Sequence, residues 1–185
     1  MANVKGSALA SRLLWVRINQ GEQGIDRLKI DASPELADLL ERGAVMSKWY
    51  PFELFINLNE TIDRVFGKGD LALIREIARH GADANLTTIY RLFYKVGTVK
   101  WIMARASRLW GLHYDSGSLE MDAEPGKSVL AEIHGFATPH VIHCMAVRSW
   151  AERSVELSGG RDVAIDDLSC RARGDERCTF RVEWS

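Results

Sequence analysis

What this chain lacks narrows its class before any motif is read. It has only three cysteines in 185 residues, Cys144, Cys170 and Cys178. An odd count in a chain long enough to build its own core argues against a disulfide scaffold, so reduced thiols are expected. It has almost no net charge: 24 Lys and Arg stand against 25 Asp and Glu, a balance of −1. That removes any broad electrostatic reason to bind nucleic acid or an anionic membrane. No apolar run approaches the roughly 20 residues that cross a bilayer. The start, Met1-Ala2-Asn3-Val4-Lys5-Gly6-Ser7, lacks the charged stretch and apolar core of a secretory signal, so the expected location is cytoplasmic. There is no G-x-G-x-x-G, G-x4-G-K-[ST], G-x-S-x-G or H-E-x-x-H, which leaves the common dinucleotide, nucleotide, serine-hydrolase and zinc-protease mechanisms without candidate residues.

The composition that is present, 46% hydrophobic and 26% charged, is that of a folded domain rather than a disordered segment. No repeat and no Pro/Gly linker divides it, so residues 1–185 are read as a single domain. Its periodicity nevertheless changes near Trp110. Residues 1–110 read as a helical half. Leu9, Leu13, Leu14, Val16 and Ile18 form a first apolar face, and Ser33-Pro34-Glu35 opens a short helix that Gly43 ends. Phe52 to Phe66 supplies a third helix, and Leu71 to His80 a fourth, stopped by Gly81. The longest helix is expected from about Thr87 to Trp110. One row of it, Tyr90, Tyr94, Gly97 and Trp101, is aromatic where a surface helix is charged. The row is either a second packed face, a subunit contact or the wall of a small-molecule pocket.

Residues 111–185 alternate in short stretches. His113 to Met121 and Ser128 to Phe136 read as strands around Glu124-Pro125-Gly126-Lys127, followed by a helix from Thr138-Pro139 to Leu157 and two further strands, Asp162 to Arg171 and Arg177 to Trp184. The expected class is therefore α+β, N-terminal helices packed on a C-terminal ββαββ antiparallel four-stranded sheet.

All three cysteines fall in that half. In a hairpin turning near Gly174, residues whose numbers sum to 348 face each other, and Cys170 and Cys178 are such a pair. They form either a disulfide, which a reducing compartment disfavours, or half of a thiolate metal site. The inward parity of β residues slips between Ile165 and Leu168, which predicts a bulge at Asp166-Asp167 that aims a carboxylate at the sulfurs. Cys144 lies on the sheet-facing row of the intervening helix. Three thiolates and one carboxylate form a closed, structural type of site. Ordinary buried thiols and redox chemistry are the alternatives. His80, His113 and His134 read as surface or satisfied core groups.

The order and spacing of Cys144, Asp167, Cys170 and Cys178 resemble the zinc site of 4-vinyl reductase type domains. The run Asp167-Leu-Ser-Cys170-Arg-Ala-Arg-Gly174-Asp175-Glu-Arg-Cys178-Thr-Phe180 resembles that family's ending. The family usually has Glu where this chain has Asp167, which leaves Asp166, His140 or His143 as substitutes. The N-terminal half, in Lys5-Gly6-Ser7 and Ser47-Lys48-Trp49-Tyr50-Pro51-Phe52, is similar to an uncharacterised bacterial paralogous family. The resemblance implies the fold shared with trafficking-particle subunits and haem nitric-oxide-binding modules, zinc as cofactor, and a tendency to homodimers. The absence of Tyr-x-Ser-x-Arg sets the haem-binding branch aside. The function implied is a non-catalytic, zinc-containing sensor for a small apolar or aromatic molecule, signalling through a partner protein. A protein adaptor without a ligand, and an accessory protein or enzyme of tetrapyrrole vinyl reduction, are the rival readings.

Overall fold

The computed structural model of the chain describes residues 1–89 and 99–185, with the side chains of 1–83, 99 and 107–185. Strand β1 (Asn3–Lys5) leads into α1 (Gly6–Lys29), α2 (Pro34–Arg42), β2 (Trp49–Pro51), α3 (Phe52–Phe66), α4 (Ala72–Ile89) and α5 (Val99–His113). Then follow β3 (Ser118–Glu124), β4 (Ser128–His134), α6 (Val141–Leu157), β5 (Ala164–Ser169), a single 3-10 turn (Arg171–Arg173) and β6 (Cys178–Glu183). The last four strands make one antiparallel sheet in the order β3-β4-β6-β5, while β1 and β2 pair separately. This is the α+β, ββαββ arrangement expected from the periodicity.

Local chemistry explains most boundaries. The Ser33 hydroxyl accepts from the Leu36 amide at 3.3 Å, Pro34 takes the first position of α2, and Gly43 ends it at φ 76°. The α1 ridge Leu9, Leu13 and Val16 is buried. Leu14 and Ile18, expected on the same face, are 47% and 62% exposed, because one residue along a helix turns the side chain by about 100°. Gly81 does not stop α4, which runs on to Ile89. A Cβ at Gly81 would stand 3.6 Å from Arg12 Nη1 and 3.7 Å from Ser11 Oγ, ordinary contact distances, so this position abuts α1 without strain. Trp49-Tyr50-Pro51 forms β2, with Val4 opposite Tyr50. Of the helix expected over 87–110, residues 87–89 belong to α4 and 99–110 to α5. Tyr90, Tyr94 and Gly97, like the side chain of Trp101, lie outside the described residues. The strand expected from His113 starts only at Ser118, because α5 continues to His113.

One apolar cluster takes residues from both halves. On the sheet, Val129, Ala131 and Ile133 of β4 and Phe180 and Val182 of β6 share the inward parity. They join Cys144, Ala151 and Val155 of α6 and Leu9, Val16, Phe52 and Phe55 from the helices. Each fully buried Leu or Phe in such a cluster contributes about 1.5–3 kcal/mol. The α4–α6 seam is fastened by charge: Arg75 reaches Glu152 at 2.7 Å, Arg79 reaches Glu156 at 2.8 Å, and Arg153 reaches Asp83 at 2.8 Å.

Candidate functional site

Two places in the fold gather chemistry. The first is the thiol corner. Cys170 follows β5, Cys178 opens β6 and Cys144 sits one turn into α6, all three buried. Ile165 faces Val182 and Asp167 faces Phe180, but Ser169 faces Thr179, so the extra residue of the bulge is Leu168, slightly later than the expected Asp166-Asp167. Beyond it, the pairing that sums to 348 holds, and it delivers Cys170 and Cys178 to one side. The three sulfurs lie within 4.8 Å of one another, with Cys170 Sγ 3.1 Å from Cys144 Sγ, well beyond a bonded disulfide. Burial, then the hydrogen bond to Cys170 and the neighbouring sulfurs, pushes the Cys144 thiol up. Asp175 Oδ2 accepts from the Cys170 amide at 2.6 Å, and the Arg171 amide donates to Cys178 Sγ at 3.3 Å.

The structure brings the three cysteines together without Asp167. Its carboxylate is paired with Arg173 and Arg148, and the Arg173 hydrogen bond, followed by that from Arg148, holds it below the usual carboxylate range. Asp166 stands opposite Arg181 on the exposed side of β5. His140 caps α6, its Nδ1 accepting from the Ile142 amide at 3.3 Å. His143 points instead into a group of rings, with centroids at 4.4 Å from Phe136, 4.8 Å from Tyr114 and 5.1 Å from Phe52. Its Nε2 is buried with no hydrogen-bond partner among the described residues, and burial, then the charges of His140 and Arg12, lowers its pKa to about 3.

The second place is a half-open cavity of about 80 Å³ where α1, α4, α5, β3 and α6 meet. Small residues, Ala8, Ala78, Gly81 and Ala146, leave the space, and Trp110 and Trp150 flank it with rings. Its polar groups are Arg12, His113 and Tyr114. Arg12 is 7% exposed. Its Nε donates to Asn59 Oδ1 at 3.4 Å, its Nη1 to Ser11 Oγ at 3.0 Å and more weakly to Ala8 O at 3.5 Å. The guanidinium also lies 4.9 Å from the Phe55 ring centre. Among the described residues no carboxylate pairs with it. Burial draws its pKa from 12.5 to about 10, so it stays charged at neutral pH. Burial also raises Tyr114 to about 12 and lowers His113, the latter with help from the Arg12 charge, so both neighbours favour their neutral forms.

The sequence reading missed Arg12, and gave His113 a bland place that the cavity replaces. One signal was present. Arg12 lies three residues after Leu9 and four before Val16, so it interrupts the buried ridge of α1 where an apolar residue belongs.

No family model matches the chain, and no curated protein matches it. Solved structures do. An H-NOX protein from S. oneidensis in the Fe(II)NO ligation state is 11% identical and superposes with a TM-score of 0.77 over 98% of this chain and 99% of that one. The chain has the H-NOX fold. An oxygen-binding H-NOX domain related to soluble guanylate cyclases, in its oxygen complex, matches at 10% identity and a TM-score of 0.71, covering 98% and 95% of the two chains. A structure described as modulating haem redox potential through porphyrin distortion matches equally at 10% and 0.71, over 97% and 99%. Identities this low show the fold and nothing narrower. Solved members of the branch set aside in the sequence for want of Tyr-x-Ser-x-Arg thus share the architecture.

That finding overturns zinc as the cofactor expected from the cysteines: the solved structures of this fold are described with haem and its iron ligands. Cysteine spacing reported a cluster of thiols correctly but carried no information about which prosthetic group the fold holds. Haem, in turn, does not fit the residues described here. The cavity measures about 80 Å³, against roughly 300–1,000 Å³ for pockets of cofactor or drug size. The most deeply buried imidazole, His143, has aromatic rings on several sides and is not on the cavity wall. No step is therefore derived through haem.

Proposed function

We propose that this chain is a non-catalytic small-molecule sensor module whose ligand enters the cavity beside Arg12 and whose output passes to a partner protein. The observation that carries this reading is the position of the cavity. It is walled by α1, α4, α5 and α6 together with Leu119 of β3, so an occupant touches both the helical half and the sheet. A ligand that fits one packing of these elements better than another shifts their balance by its difference in affinity, which is all a sensor requires. The apolar and aromatic wall suits a compact ligand with an apolar body. Two resemblances support a ligand-sensing use: the gas-ligated and haem structures that share the fold, and the 4-vinyl reductase type ending of the chain.

Within the same proposal, Cys144, Cys170 and Cys178 are structural. Their three buried sulfurs pack the β5–β6 hairpin onto α6, while Asp167 stays with Arg148 and Arg173. The module is proposed to work as a homodimer. Among the described residues no helix is long and apolar enough to cross a membrane.

Trp110 and Trp150 flank the cavity and report its occupancy. The test is tryptophan fluorescence of the purified protein titrated with small aromatic probes, beginning with phenol and benzoate. A saturable change in the wild type, abolished by Ala146→Phe, which fills the cavity, is the expected result. No saturable change with any probe, or stoichiometric uptake of haem with its strong near-ultraviolet band, overturns the reading.

A further inference from the structure

We propose that the cavity selects a small carboxylate with an apolar body, bound by the Arg12 guanidinium. This rests on the cavity being a ligand site, as argued above, and adds the charge of what it takes.

Three observations lead there. Arg12 is more than nine-tenths buried yet has no acidic partner among the described residues; its acceptors are an amide oxygen, a hydroxyl and a backbone carbonyl, the nearest at 3.0 Å. A buried cation without a counter-charge is unfavourable, and the usual remedy is a carboxylate held by two parallel hydrogen bonds. Elsewhere in this chain that remedy is used freely: Arg75, Arg79, Arg153, Arg173 and Arg181 all pair with Asp or Glu. Arg12 is different because the space beside it is left open. Nη1 is directed to the Ser11 side of the group and Nε to Asn59, while among the described residues no acceptor takes Nη2.

The second observation is that, among the described residues, the cavity holds no anion of its own. Tyr114, the polar neighbour that acts on Arg12 electrostatically, favours its neutral phenol, and His113 its neutral imidazole. The third is the rest of the wall. Among the described residues, Ala8, Ala78, Ala146, Val147, Trp110 and Trp150 complete the wall without a second cation, which fits one carboxylate on an apolar body. At about 80 Å³ and half open, the cavity suits a short-chain or single-ring acid.

The experiment compares matched pairs differing only in charge: butyrate against butyramide, and benzoate against benzamide, by calorimetry and tryptophan fluorescence on the full chain. Each acid is expected to bind at least tenfold more tightly than its amide. In Arg12→Met, which keeps the unbranched stem, the acids are expected to fall to the level of the amides while amide binding persists. Equal binding of acid and amide in the wild type overturns the carboxylate proposal and leaves the cavity reading standing; an unchanged acid preference in Arg12→Met overturns it as well. No binding of any of the four overturns both. Since the wild-type comparison needs no variant, misfolding of Arg12→Met leaves the proposal falsifiable.

Discussion

The thiol corner and the Arg12 cavity use buried polar chemistry in opposite ways. At the corner, groups are matched within the chain: Asp167 lies between Arg148 and Arg173, Asp175 accepts from the Cys170 amide, and Arg171 donates to Phe136 O at 2.8 Å. The three sulfurs have each other. At the cavity a full positive charge is held among alanines and aromatic rings, with only neutral acceptors. A region whose interactions close on themselves is suited to holding shape. One that keeps an unmatched charge beside open space is suited to receiving something. The group of rings around Phe52, Tyr114, Phe136 and His143 joins them, since Tyr114 lines the cavity and His143 precedes Cys144.

The change with the largest expected effect removes that joint. Phe52 is fully buried and meets Phe55 at 5.9 Å, Phe136 at 5.0 Å and His143 at 5.1 Å between ring centres. Phe52→Ala is expected to cost about 3–5 kcal/mol in a denaturant titration. If the two regions are coupled through these rings, it also weakens ligand binding at the cavity. Unchanged binding in a folded Phe52→Ala protein shows instead that the regions are independent.

A smaller effect depends on pH. The imidazole of His143 has its pKa lowered to about 3 in the fold, by burial first and then by His140 and Arg12, whereas an unfolded histidine titrates near 6.5. Between those values the unfolded chain binds a proton that the native chain refuses. The contribution of the neutral ring is therefore complete above about pH 6.5 and is lost as pH falls towards 3, by up to about 1.4 kcal/mol per pH unit. His143→Phe keeps a ring in place and removes the liability. Its stability relative to wild type is expected to rise by about 2 kcal/mol between pH 7 and pH 5, measured by urea unfolding at the two values. A constant difference contradicts the buried, neutral assignment.

The two regions also differ in how far the sequence disclosed them. Cys170 and Cys178 were placed together by hairpin symmetry alone, and the parity slip in β5 announced a bulge, because a strand has a period of two and any extra residue shows. Helix α6 followed from its own periodicity and its glycines. What strand arithmetic does not rank is competition between partners. Asp167 was expected beside the sulfurs, but two arginines, one from α6 and one from the 3-10 turn, hold it. The cavity was harder still. Its wall comes from α1, α4, α5, β3 and α6, and nothing local in Ala8, Ala78 or Ala146 says that small residues from distant segments will leave a gap at one point. Gly81 reads locally as a helix stop, yet α4 runs through it to Ile89 and passes beside Arg12 and Ser11. The arginine in an apolar ridge was the one visible trace of the site.

That trace leads to the smallest of the predicted stability changes and the one that separates the regions most directly. If Arg12 served stability, its removal would destabilise the chain, as deleting a matched charge does. In this structure the guanidinium is desolvated, and its Asn59 and Ala8 contacts are long, at 3.4 and 3.5 Å. Against that, Arg12→Met leaves Asn59 Oδ1 without its donor and gives up the contact with the Phe55 ring, modest losses because that hydrogen bond is already long, at 3.4 Å, and the ring centre lies 4.9 Å away. The balance is expected to favour the variant by about 1 kcal/mol, read as a rise in Tm of roughly 2–4 °C for a chain of this length. A more stable protein that has lost its preference for acids over amides shows the charge to be kept for a ligand at the expense of the fold. A less stable Arg12→Met protein makes the guanidinium part of the core, and the contrast with the thiol corner disappears. With butyrate or benzoate present at saturating concentration, the order is expected to reverse, because the wild type binds the acid at least tenfold more tightly and gains more from it in the folded state.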